Sequence, residues 1–199
     1  PGRAKLALEC PRERPAVAHG EIAECTIQGK QSQECTVRCE EGFGVLEPRA
    51  RCIHGAWYVP ECLKVGSLVR VVAQEPAAIK PYWVVLDAVL YRAPDCSDVI
   101  RMEGSSISSG EYVIKYANYH PQNVWDSDAS TSWASSGPCA PGRCFFGFRF
   151  RAPPQGDIRC VRVEHPEGEQ YHATRVSVEI LGHNGWEELP DVTVQLLPA

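Results

Sequence analysis

Ten cysteines are the residues of this 199-residue chain whose type and spacing most clearly predict chemistry. Six lie in the first third of the chain and four in the rest, so the number is even in each part. Even counts predict disulfides, which form in an oxidising compartment outside the cytosol. Zinc binding is the alternative, because Cys35 and Cys39 have the spacing of half a zinc site. No Cys-x-x-Cys or paired His completes such a site.

Residues that commonly perform catalysis form no recognisable motif. The sequence contains no Gly-x-Ser-x-Gly nucleophile, no His-Glu-x-x-His pair and no glycine-rich phosphate loop. The adjacent carboxylates Glu40-Glu41 and Glu187-Glu188 point apart if they lie on strands. With every cysteine expected in a disulfide, no thiol nucleophile remains. We therefore expect no enzymatic activity.

Short β-strands are the elements that must position the remaining polar residues. Sixteen glycines and sixteen prolines are spread along the chain and separate short apolar runs, which is typical of an all-β fold. In the run 145–151, phenylalanines at alternate positions face one side and arginines between them face the other. Further strands are predicted at 84–90, 158–164 and 176–180.

Charge and hydropathy exclude several classes of partner. The net charge of −5 argues against nucleic acid, since phosphate binding needs a dense basic surface. No apolar stretch reaches the roughly 18 residues of a membrane span. Residues 1–8 lack the apolar core of a signal peptide, so we expect a mature form or a piece of an ectodomain.

The first 64 residues resemble the sushi module, also called the complement control protein module. The motifs that carry the resemblance are Cys10-Pro11, Cys39-Glu40-Glu41-Gly42-Phe43, Gly55-Ala56-Trp57 and Pro60-Glu61-Cys62. A module of this size buries little core and needs covalent staples. The resemblance implies Cys10–Cys52 and Cys39–Cys62, with Trp57 as the main core aromatic. Cys25 and Cys35 depart from the basic pattern and would close a polar hairpin, although six cysteines allow 15 connectivities.

Residues 65–199 resemble the discoidin-like, galactose-binding-type jelly roll. The motif is Asn123-Val124-Trp125-Asp126-Ser127-Asp128-Ala129-Ser130-Thr131-Ser132-Trp133, with Ser127 in place of the family's glycine. The predicted strands that follow, and then Trp186 and Leu189, keep the family's order. The resemblance implies a β-sandwich. Four cysteines allow three pairings here, of which Cys96–Cys160 with Cys139–Cys144 is preferred because the latter can close a tight loop.

The family's Asp-rich turn often binds a structural calcium ion. Hard cations take oxygen ligands at close spacing, and such oxygens are supplied by Asp126, Asp128 and Thr131. The alternative is that these side chains only satisfy the backbone of a tight turn.

Family ligands bind loops at one end of the sandwich. Our candidates are exposed aromatic and hydrogen-bonding side chains, each of which could instead be a solvated turn residue: Tyr116, Tyr119, His120, Arg143, His165, Tyr171 and His172. Trp125 and Trp133 are expected in the core. Loops tipped with apolar residues are not evident, which disfavours phospholipid.

Together, the two resemblances imply a secreted or surface-exposed recognition protein. The leading hypothesis is a lectin-like cell-adhesion module that binds a cell-surface glycan or protein. One alternative is a scaffold subunit in a multi-protein extracellular or surface complex. The other is a carbohydrate-binding appendage of a larger enzyme.

Overall fold

A computed structural model describes residues 9–11, 13–27, 32–76, 82–114, 117–167 and 171–198. By its contacts the chain divides into two compact units. The first unit comprises Pro1–Val65 with Leu181–Trp186, and the second comprises Gly66–Ile180 with Glu187–Ala199. The described residues contain no α-helix, and a 3-10 helix spans Pro121–Trp125. No helix in this part of the chain is long and apolar enough to cross a membrane.

Six short strands lie in the described residues up to Val65. They are β1 (Gly20–Ile27), β2 (Ser32–Cys39), β3 (Phe43–Gly44), β4 (Arg49–Ile53), β5 (Ala56–Tyr58) and β6 (Leu63–Lys64). A four-stranded antiparallel sheet has the order β1-β2-β4-β5, and β3 pairs with β6. Alternate residues of β4 face opposite sides of the sheet. Ala50 and Cys52 are buried, whereas Arg49, Arg51 and Ile53 are exposed.

The core of the first unit is small, as its length requires. Its fully buried members are Cys35, Val37, Ala50 and Cys62, with the predicted core aromatic Trp57 partly buried against them. Three disulfides close this unit: Cys10–Cys52, Cys25–Cys35 and Cys39–Cys62. These are the expected pairs. Covalent staples thus replace much of the apolar burial that a larger domain would have.

Twelve more strands lie in the described residues from Gly66 onward. They are β7 (Leu68–Pro76), β8 (Val84–Val85), β9 (Asp87–Tyr91), β10 (Gly104–Ser108), β11 (Val113–Ile114), β12 (Ala117–Asn118), β13 (Trp133–Ala134), β14 (Phe145–Phe150), β15 (Cys160–His165), β16 (Ala173–Gly182), β17 (Gly185–Glu188) and β18 (Thr193–Pro198). One sheet has the order β10-β14-β7-β16-β17 and another has the order β18-β15-β9. β8 pairs with β13, and β11 pairs with β12.

Both larger sheets contribute to one apolar core in the second unit. Its largest buried side chains include Trp83, Trp133 and Phe146, whose rings pack edge-on or tilted at 5.2–5.8 Å between centroids. Within β14 the alternate residues Phe146, Phe148 and Phe150 are buried and Arg149 is exposed, as the sequence predicts, and Arg151 directly after the strand is exposed too. The core also contains Val124 of the 3-10 helix and Val163 of β15.

The apolar run 84–90 was expected to be one strand, but the structure divides it. A bend at Leu86 separates β8 from β9, and the two strands pair with different partners, β13 and β15. The bend places Asp87 at the start of β9, where its carboxylate reaches the backbone of the Asp-rich turn. Hydrophobicity alone does not reveal this break, because both halves are buried.

The second unit carries the two remaining disulfides, Cys96–Cys160 and Cys139–Cys144. They agree with the preferred pairing. Cys139–Cys144 spans five positions and closes the turn before β14, whereas Cys96–Cys160 joins positions 64 apart. All ten cysteines are therefore bridged.

Candidate functional site

Several loops of the second unit gather at one end of its five-stranded sheet. The register Ser108↔Phe146 and Phe145↔Val72 places the end of β10, the start of β14 and the last part of β7 together. Backbone hydrogen bonds connect further loops to this end of the sheet. Tyr112 N donates to Ala134 O at 2.9 Å, and Ser135 N donates to Trp83 O at 3.0 Å. Segments far apart in sequence are thereby adjacent.

Three tyrosines meet at this end. The ring centroids of Tyr82 and Tyr112 are 4.5 Å apart, and those of Tyr112 and Tyr119 are 5.9 Å apart. All three side chains are half-buried, so each ring keeps part of its surface in solvent. We call Tyr82, Tyr112 and Tyr119 the tyrosine cluster. Partly exposed tyrosines offer a rigid apolar surface and a hydroxyl at small entropic cost.

A pair of polar side chains, His120 and Glu111, borders the tyrosine cluster. His120 Nδ1 lies 2.8 Å from Glu111 Oε2, and each residue is the sequence neighbour of a cluster tyrosine. Both side chains are partly exposed. The pair therefore places hydrogen-bonding groups beside the rings, which is the combination of apolar surface and few polar groups that binding sites use.

The predicted ligand residues are only partly brought together. Tyr119 and His120 lie in or beside the tyrosine cluster, whereas Tyr116 lies outside the described residues. Arg143 is exposed on the turn that Cys139–Cys144 closes. The same turn meets the end of β7, because Gly142 N donates to Ala73 O at 2.8 Å. Tyr171 is partly buried.

His165 was expected to flank a ligand-binding loop, but the structure places it in the core. The residue is 1% exposed. Its Nε2 lies 3.1 Å from Trp83 Nε1, and an indole N–H can only donate, so this nitrogen accepts and carries no proton. Burial, reinforced by the neighbouring His172, lowers the pKa of His165 to about 4. A role in surface ligand binding does not fit a neutral, enclosed ring.

His172 packs on the buried histidine and does not point freely into solvent. The two ring centroids are 4.6 Å apart. Nε2 of His172 donates to the carbonyl oxygen of Pro166 at 2.6 Å. This bond connects the segment before β16 to the residue that follows β15, so His172 has a structural role here.

The Asp-rich turn is closed by its own hydrogen bonds. Asp126 accepts Asp128 N at 2.9 Å through Oδ1 and the Thr131 hydroxyl at 2.9 Å through Oδ2. Asp128 Oδ1 accepts both Ser130 N at 2.9 Å and the Ser130 hydroxyl at 2.6 Å. The Ser130 bonds hold the pKa of Asp128 below its usual value. Ser127, at φ 60°, adopts the left-handed conformation that glycine adopts most readily.

Asp87 is an acidic residue near this turn that the sequence did not indicate. The pKa of Asp87 is raised to about 6, first by burial and then by the charges of Glu164 and Asp126, against the lowering effect of backbone hydrogen bonds from Ala88 and Ser127. Its Oδ1 is buried with no hydrogen-bond partner in the described residues. An incompletely solvated carboxylate beside two others is electrostatically unfavourable at neutral pH.

Metal binding by these groups can be compared with the geometry of the described residues. No three His, Cys, Asp or Glu side chains in the described ranges come together as a group that could hold a metal ion. The predicted calcium donors Asp126 and Thr131 bond to each other. Calcium at this turn stays a prediction.

Sequence reasoning missed Tyr82, Tyr112 and Glu111. The criterion that selected Tyr119 and His120, aromatic and polar residues in a loop, also applies to Glu111-Tyr112. No local signal links Tyr82 to them, because the two tyrosines are brought together only by the pairing of distant loops. Comparison with family models, curated proteins and solved structures found no match.

Proposed function

We propose that this chain is a non-catalytic extracellular recognition module that binds a cell-surface glycan through the tyrosine cluster. The observation that carries the proposal is the meeting of Tyr82, Tyr112 and Tyr119 beside the His120–Glu111 pair. Sugar rings stack their C–H faces on aromatic rings and hydrogen-bond to planar polar side chains. A partly exposed row of tyrosines bordered by the His120–Glu111 pair supplies both contacts.

The proposed family assignments are a sushi-like first module and a discoidin-like second module. Three observations support them. The five disulfides join the expected cysteines, the second unit packs sheets of five and three strands on one core, and the Asp-rich turn contains a left-handed residue. Disulfides also favour an extracellular location, since they persist in oxidising compartments.

Binding is expected to depend on the aromatic rings. We expect Tyr119→Ala and Tyr112→Ala each to weaken binding of the best ligand on a glycan array by roughly tenfold or more, the equivalent of about 1.4 kcal/mol. Tyr119→Phe keeps the ring and should retain most of the affinity. The measurement is a glycan array followed by titration calorimetry with the best oligosaccharide.

Tyr58→Ala is the matched control, because Tyr58 is 64% exposed but lies on β5 of the first unit. It should leave glycan binding unchanged. Arg143→Ala tests whether the disulfide-closed turn takes part. Failure of the wild-type protein to bind any glycan on the array would contradict the proposal.

A scaffold role in a multi-protein surface complex is the second candidate. It is favoured by the exposed face of the first unit, where Tyr58 and Ile53 lie on neighbouring strands beside Arg51. Arg51 contacts Glu34 and Glu47. Tyrosine and arginine are enriched at protein interfaces. Lack of glycan binding, together with binding of a partner protein that Tyr58→Ala abolishes, would favour this function.

The calcium prediction has a thermal test. An ion held by Asp126, Asp128 and Thr131 would stabilise the folded protein, by about 2.7 kcal/mol at 100 times its Kd. Calcium would then raise the melting temperature, and both EDTA and Asp126→Asn would abolish the rise. A melting temperature that is the same in calcium and in EDTA contradicts the prediction.

A further inference from the structure

The rings of Tyr82 and Tyr112 contact each other. Their centroids are 4.5 Å apart and their planes are inclined by 50°. Contact between the two phenol rings allows radicals formed on both of them to couple within one chain.

The two hydroxyl groups are also oriented toward each other. The hydroxyl of Tyr82 donates a hydrogen bond to Tyr112, and this bond, followed by burial, raises the pKa of Tyr82. Hydrogen-bonded hydroxyls bring together the ring carbons beside them, which are the positions where tyrosyl radicals couple. Both side chains keep part of their surface in solvent and are accessible to an oxidant.

We propose that Tyr82 and Tyr112 are a modification site that forms an intrachain dityrosine when a peroxidase and hydrogen peroxide are present. Each phenol loses its hydroxyl hydrogen, one electron and one proton, to give a phenoxyl radical. The radicals form one carbon–carbon bond between the ring carbons beside the oxygens. The hydrogens displaced from those carbons return to the oxygens. The peroxide accepts the two electrons and two protons and becomes two waters, so the protein loses two hydrogen atoms.

The crosslink would join segments that the disulfides leave unconnected. Tyr82 precedes β8 and Tyr112 precedes β11, and the nearest disulfide in sequence, Cys96–Cys160, begins between them. Closing the chain between positions 82 and 112 restricts the unfolded state in the same manner as a disulfide. An upward shift of the melting temperature is the expected consequence. The proposal does not depend on glycan binding, because the coupling needs only the two rings and an oxidant.

The test is oxidation of the dilute, folded, full chain by a peroxidase with hydrogen peroxide. We expect a monomer lighter by two hydrogen atoms, the blue fluorescence of dityrosine and, after reduction and proteolysis, a crosslinked peptide pair that contains positions 82 and 112. Tyr82→Phe and Tyr112→Phe each remove one radical source and should abolish that pair. Tyr58→Phe removes an exposed tyrosine of the first unit and should leave it unchanged.

Peptide mapping of the wild-type protein decides the matter even if a variant folds poorly. Free tyrosine in a parallel tube verifies that the oxidant is active. Crosslinks found only between chains, or only between Tyr112 and Tyr119, would overturn the proposal. Oxidation of other tyrosines without the 82–112 pair would overturn it as well.

Discussion

Replacing Cys10 and Cys52 together by alanine is expected to remove about 4 kcal/mol from the free energy of unfolding of the first unit. The pair joins positions 42 apart, so breaking it releases a long loop in the unfolded chain. A domain of about 60 residues has only a few kcal/mol of stability. Much of the folded population of this unit should therefore be lost. Calorimetry of the whole chain measures this loss, with the transition of the second unit as an internal reference.

The pair Cys25–Cys35 is the matched comparison within the same unit. It joins positions 10 apart, for which the same chain-entropy relation gives about 3 kcal/mol. The double alanine variant should be less destabilised than the Cys10/Cys52 variant. The opposite order would show that native packing around the cysteines, and not the length of the closed loop, determines their contribution.

Two of the features predicted successfully are ones that a short stretch of sequence determines. The alternation in 145–151 specifies its two faces regardless of which strand lies alongside. The turn closed by Cys139–Cys144 is similarly local.

The features that sequence could not supply depend on distant partners. His165 ends a strand and resembles a loop residue, yet Trp83, 82 positions away, encloses it and donates to it. The Tyr82–Tyr112 contact lies beside β8, which is separated from β9 by a bend and pairs with β13. Neither contact produces a periodic pattern in the sequence. Only Tyr119 and His120 of the site were therefore predicted, because they lie together in one loop.

Acid is expected to destabilise the fold through His165. Its pKa is about 4 in the folded protein and about 6.5 in an unfolded chain, so the unfolded state binds the proton more tightly. The stability that the neutral ring contributes is complete above the unfolded pKa and is lost as the pH falls toward about 4. The full difference corresponds to about 3 kcal/mol. His165→Gln retains an acceptor for the Trp83 indole and should remove this dependence, because glutamine does not titrate.

Asp87 should act in the opposite direction over the same pH range. Its pKa of about 6 in the folded protein lies above its ordinary value of 3.8, so the folded state binds the proton more tightly. Stability attributable to Asp87 therefore rises as the pH falls through 6 and is lowest at neutral pH. After allowance for solvent screening of a partly exposed group, the penalty at neutral pH is about 2 kcal/mol. Asp87→Asn should stabilise the protein near neutral pH and give no gain near pH 4.

The two effects oppose each other in the wild-type protein, so only the variants separate them. Denaturant unfolding in calcium-free buffer between about pH 4 and pH 8 gives the free energy of unfolding of each variant relative to wild type. The His165→Gln difference should become more stabilising toward acid, because only the wild type bears the cost of protonating His165. The Asp87→Asn difference should become more stabilising toward neutral pH. If the free energy of unfolding of a variant runs parallel to that of the wild type over this pH range, the replaced group has the same pKa in the folded and unfolded chain. That result would contradict the prediction for that group.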